Sequence, residues 1–179
     1  MTLSTSLPAY MFAFCRIVIG LVFLFSSAGK ILQMRAFVQT IQRFHLLPTR
    51  LNAPAAAFFL CGECAVVIFL GIGGSLLLPG FVLAGLLLLL FCAAMATVIA
   101  RGIHTSCNCF GTSEKEVTRT DIWRNAGFIL CTLGGCSALR LGVQESLNLA
   151  EWVIVGLGAL IFVIIWLQLQ EIVSLFRAH

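Results

Sequence analysis

Charge is what this 179-residue sequence has least of. Only 10% of its residues are Asp, Glu, Lys or Arg, and 60% are apolar. A soluble domain carries about 25% charged residues, enough to cover a solvated surface; this chain does not. Several apolar runs reach the roughly 20 residues that cross a bilayer, so a soluble enzyme is excluded and an integral membrane protein is expected. No Lys or Arg precedes Arg16 and no small-residue cleavage site is evident, so a removable signal peptide is not expected. Methionines are few and no His-rich tract occurs. The net charge of +4 is no argument for nucleic acid, and its meaning lies in where the basic residues fall.

Eight cysteines are many for this length. Most lie within apolar runs, which excludes the disulfide framework of a small secreted domain. Buried cysteine often serves as a small hydrophobe, and Cys92, Cys15, Cys131 and Cys136 read that way. Two close pairs differ. Cys107 and Cys109 stand in the polar break His104-Thr105-Ser106-Cys107-Asn108-Cys109-Phe110-Gly111. A disulfide across one intervening residue closes a small strained ring, and strained disulfides sit at the labile, catalytic end of the potential scale. Half a metal site and two inert loop cysteines are the alternatives. The second pair is Cys61-Gly62-Glu63-Cys64, on one face of an expected helix. No βαβ pattern surrounds it, so it is not a thioredoxin domain.

The runs give five membrane helices, at about 10–29, 54–78, 81–100, 121–140 and 150–169. An amphipathic helix at about 31–47 is expected to lie on the membrane surface, closed by Pro48. The fold expected is an all-α integral membrane protein, a single domain: a four-helix transmembrane bundle, a fifth peripheral transmembrane helix and the interfacial helix. In the first span Arg16, Gly20, Phe23, Ser27 and Lys30 recur at steps of four and three, so they share a face. Glycine and serine there let a neighbouring helix approach. Glu63 is the one acid well inside an apolar run, and an intramembrane carboxylate is a functional candidate with a cationic partner to find. Arg16 or Lys30 is the expected partner, with a purely structural ion pair as the alternative. Arg124 and Asn125 fall in the first turns of the fourth span, after a possible Asp121 cap. A guanidinium near a thiol raises its thiolate fraction, which would suit Cys107 and Cys109; otherwise Arg124 anchors the helix at the headgroups.

With five spans, Lys30, Arg35, Arg43, Arg50, Arg101, Lys115, Arg119, Arg124 and Arg177 fall on one side and only Arg140 on the other. The positive-inside rule then places the N-terminus outside and the Cys107–Cys109 loop in the cytoplasm.

These features together resemble the MauE family of methylamine-utilisation membrane proteins, within the wider DoxX-like group. The matching residues are Arg16-x-x-x-Gly20-x-x-Phe23 with Gly29-Lys30, then Glu63, then Cys107-x-Cys109-Phe110-Gly111 followed by Arg124-Asn125. Asn108 departs from the glycine expected between the cysteines. The resemblance covers roughly residues 10–140 and implies thiol–disulfide chemistry in a bacterial cytoplasmic membrane, maturing extracytoplasmic proteins alongside a thioredoxin-like partner. By that likeness Cys107 and Cys109 are the redox pair, and Arg16, Lys30 and Glu63 a polar centre. Cys61 and Cys64 are not carried over from the family; exchange with them would move electrons into the bundle. This reading needs no cofactor. Two alternatives stand beside it: a metal held by the thiolates of Cys61, Cys64, Cys107 and Cys109, as zinc, copper(I) or an iron–sulfur cluster, and a quinone near Arg16 and Glu63 as electron acceptor. A subunit that only docks a soluble partner is the remaining option. The oligomeric state is not legible.

Overall fold

A computed structural model of the chain describes residues 3–43, 48–102, 119–143 and 147–168. Among the described residues there is no strand. Six α-helices follow one another: α1 (Leu3–Leu32), α2 (Met34–Arg43), α3 (Asn52–Ile72), α4 (Leu77–Ala100), α5 (Arg119–Arg140) and α6 (Leu149–Leu167). Leu-, Ala- and Phe-rich runs make these helices good helix formers. In a bilayer the helix also satisfies every backbone polar group internally.

Proline and glycine set the boundaries. Pro54 and Pro79 each lie third in their helix, α3 and α4. A first-turn residue has no intrahelical acceptor for its N–H, so proline is tolerated there. Both helices therefore start earlier than expected, at Asn52 and Leu77. Pro8 lies within α1, which begins at Leu3 rather than near Tyr10. The expected second span, 54–78, stops at Ile72, because Gly73 and Gly74 take φ of +81° and +61°. Positive φ is open to glycine with little strain. The Gly73 N–H closes the helix on the Phe69 carbonyl at 3.1 Å, and a short 3₁₀ turn (Gly74–Leu76) leads into α4.

The packing is a closed ring: α1 against α3, α3 against α4, α4 against α5 and α5 back against α1. This is the four-helix bundle. α6 packs on the outside of α1 and leaves most of its surface facing outward. α2 folds against α3 beyond the end of α1. Four helical stretches, those of α1, α3, α4 and α6, are long and apolar enough to cross a membrane. α5 carries Arg119, Asp121, Arg124 and Arg140 at its two ends and owes its place to packing between α4 and α1.

The core is aliphatic and aromatic, with Phe12, Ile19, Phe23, Phe81 and Phe128 almost fully buried. The Phe12 and Phe81 rings meet at 5.9 Å. Phe81 lies directly on the bare backbone of α5, where a Cβ at Gly135 would come within 2.4 Å of the ring. Leu24, Phe25, Leu86, Leu89, Ile154 and Ile161 face outward. Such an apolar exterior is what lipid tails solvate.

Candidate functional site

A charged centre is sealed inside the bundle. Lys30, in the last turn of α1, forms an ion pair with Glu63 of α3, and the two side chains are 1% and 0% exposed. Ser26 sits one turn before Lys30. Its Oγ donates to Glu63 Oε1 at 3.0 Å and accepts from Lys30 Nζ at 3.0 Å. Two rings complete the enclosure: the Lys30 ammonium lies 4.9 Å from the Phe37 centroid on α2 and 4.5 Å from the Phe91 centroid on α4. Phe59 backs Phe91 at 5.2 Å. Four helices therefore meet at one ion pair. The rings add cation–π attraction in a desolvated setting.

Burying two charges is costly, and their attraction offsets it only when further hydrogen bonds complete the arrangement. Here one carboxylate oxygen is over-provided and the other is not. Glu63 Oε2 is buried and has no hydrogen-bond partner among the described residues. An orphan buried acceptor typically costs about 1–3 kcal/mol. It is also a position from which a proton or a hydrogen-bond donor could be accepted.

Arg16 is not part of this centre. Its Nε donates to the Leu70 carbonyl at 2.8 Å and its Nη2 to the Gly71 carbonyl at 3.3 Å. Its guanidinium lies 5.5 Å from the Trp152 ring of α6. The last carbonyls of a helix lack intrahelical donors and carry the negative end of its dipole, so Arg16 caps α3. A Cβ on Gly73 would stand 2.8 Å from Arg16 Nη2, so the turn closes around the arginine.

Arg124 forms a third node. It pairs with Asp121 at 3.2 Å and reaches the Leu167 carbonyl at the end of α6 at 3.4 Å. Trp166 Nε1 donates back to the Arg124 carbonyl at 3.1 Å. Asn125 is buried beside it. At the other end of α6, Tyr10 donates to Glu151 at 2.6 Å, a polar tie that no spacing in the sequence marks.

Cys61 is exposed on the outer face of α3 and Cys64 is half-buried. Cys61 lies nine residues into α3, about 14 Å along it at 1.5 Å per residue. Cys107 and Cys109 lie outside the described residues, as does most of the segment between α4 and α5. Among the described residues no three His, Cys, Asp or Glu side chains are grouped to hold a metal ion. Cys15 of α1 and Cys131 of α5, read from sequence as small hydrophobes, lie on packed helices, and Cys15 Sγ would stand 3.6 Å from a Cβ on Gly134, about one turn from Cys131. Ser26 was also missed. Its signal is the i, i+4 spacing to Lys30, which places both on one face.

An all-helical membrane bundle with a sealed lysine–glutamate pair is thus the class of protein that fold and site define. A sequence model of the family described as "Methylamine utilisation protein MauE" matches residues 8–139, and the chain belongs to that family. A curated relative, "Methylamine utilization protein MauE" of Paracoccus denitrificans, is 29% identical over 135 residues, covering 74% of this chain and 72% of the relative. No solved structure matches the chain. The matched stretch takes in α2, α3 and α4 whole, α1 from residue 8 and α5 to residue 139, and ends before α6.

Proposed function

We propose that this protein is a membrane thiol–disulfide oxidoreductase acting through Cys107 and Cys109, and that it serves methylamine utilisation, as its relative's name states, by maturing a disulfide-containing extracytoplasmic protein. One observation carries the reading: the Cys107-x-Cys109-Phe110-Gly111 element falls inside the stretch that the family shares. One cysteine attacks a partner disulfide and forms a mixed disulfide, which the other resolves. A thioredoxin-like protein is the proposed redox partner. The pair lies between α4 and α5 in sequence, and the described ends Ala100 and Arg119 lie at the end of the bundle where Lys30, α2 and Arg124 gather.

The proposed location is the bacterial cytoplasmic membrane. The described residues Arg35, Arg43, Arg50, Arg101 and Arg119 fall at one end of the bundle, Arg16 and Arg140 toward the other, which favours the first end inside. Labelling of Cys107 by an impermeant maleimide from outside intact cells would reverse that orientation.

The test of the exchange reading is trapping. Cys107→Ser or Cys109→Ser abolishes exchange with a disulfide substrate, and one of the two accumulates a mixed disulfide. Full activity in both variants sinks it. Elemental analysis of anaerobically purified protein separates this reading from the thiolate–metal alternative: stoichiometric metal favours the latter.

A second reading adds a quinone as electron acceptor. It draws on Glu63 Oε2, which has no hydrogen-bond partner among the described residues and, being fully buried, would meet a hydroquinone hydroxyl only if the surrounding helices part. Solvent extraction of the purified protein tests it, and absence of quinone with no response to added quinone removes it.

A further inference from the structure

Cys15 and Cys131 belong to neither close pair in the sequence, yet the fold brings them together. α1 and α5 pack along one another, and Cys15 meets α5 about one helical turn from Cys131. The approach has a visible cause. Gly134, about one turn beyond Cys131, presents bare backbone to α1, and a Cβ there would stand 3.6 Å from Cys15 Sγ. Small residues let helix backbones draw close, and a disulfide needs Cα atoms about 4.4–6.8 Å apart. The two cysteines differ in access: Cys15 is buried, at 7% exposed, and Cys131 is half-buried. Cys15 is also next in sequence to Arg16, which caps the far end of α3. Cys15 therefore lies toward the end of the bundle opposite Lys30 and the start of α5.

We propose that Cys15 and Cys131 form a second redox site, a buried dithiol that closes to an interhelical disulfide by exchange with a disulfide. The accessible thiol reacts first. Cys131, as thiolate, attacks one sulfur of the incoming disulfide; its S–S bond breaks, a Cys131 mixed disulfide forms and one thiol leaves. Cys15 then attacks the Cys131 sulfur, the mixed disulfide breaks, and the second thiol leaves. Two cysteine thiols are oxidised, one disulfide is reduced to two thiols, and the two cysteine protons end on the leaving thiols. The product bond ties the helix carrying Ser26 and Lys30 to the helix that begins after Cys109. Cys61 and Cys64 share one helix, so a bond between them would tie no two elements together.

The test uses the full chain in its native membrane, treated with dithiodipyridine, a membrane-permeant organic disulfide, and then mapped by mass spectrometry. The expected result is a peptide containing Cys15 joined to one containing Cys131, with two pyridinethiones released for each bond formed. Cys15→Ser should instead retain a pyridyl adduct on Cys131. The wild-type crosslink is the primary readout and requires no variant to fold. Separate adducts on both cysteines, no reaction at either, or a bond from Cys15 to Cys136 would overturn the proposal. The same crosslink is expected in a Cys107→Ser, Cys109→Ser chain, so the two thiol sites stand or fall separately.

Discussion

At the scale of single residues, the Lys30–Glu63 pair governs the interior. Removing one partner leaves an uncompensated charge, for Lys30 between Phe37 and Phe91, whereas replacing both with apolar residues of similar volume removes the desolvation penalty too. Glu63→Leu alone is expected to destabilise the protein by about 3–5 kcal/mol, and Lys30→Met with Glu63→Leu to recover most of that loss. Unfolding in detergent measures both. A single variant as stable as the wild type contradicts the buried pairing. If the double variant folds but exchanges no thiols, the pair works in the chemistry as well as in packing. The existence of this pair was legible in the sequence, because a lone acid inside an apolar run requires a cation. Which cation was legible only in part. Arg16 and Lys30 are 14 residues apart, about 21 Å of helix, so one carboxylate is in reach of only one of them. That Arg16 would turn to the carbonyls of α3 depended on where α3 ended.

At the scale of elements, helix existence was written in apolar run length, and helix ends were not. Pro54 and Pro79 look like starting punctuation but sit inside first turns. Gly73 could be read as one of several glycines; what makes it the stop is its left-handed backbone beside Arg16. The contact between α4 and α5 was likewise hidden, since nothing in sequence pairs Phe81 with Gly135. Gly135→Ala should drive a Cβ into that ring and cost about 1–3 kcal/mol, the usual range for overpacking. Phe81→Leu in the same chain should restore part of it, and such non-additivity is the signature of direct contact. Additive losses in a double-mutant cycle would place the two residues apart.

At the scale of the whole molecule, the described residues form a ring of four helices, with α6 applied from outside and α2 helping α1, α3 and α4 to enclose the Lys30–Glu63 pair. The all-helical membrane architecture followed from scarce charge and long apolar runs, because lipid admits little else. The ring order and the approach of Cys15 to α5 did not, since periodicity records which face is apolar and not which neighbour meets it. The proposed activity centres on Cys107 and Cys109, and one measurement bears on it most directly: the protein is equilibrated in its membrane across a series of glutathione redox buffers, quenched with acid, alkylated and mapped at these two cysteines. The expected result is that both thiols are lost together, in one two-electron transition, as an intramolecular Cys107–Cys109 disulfide. Two thiols that stay alkylatable at every poise, or that react independently of each other, would contradict the account.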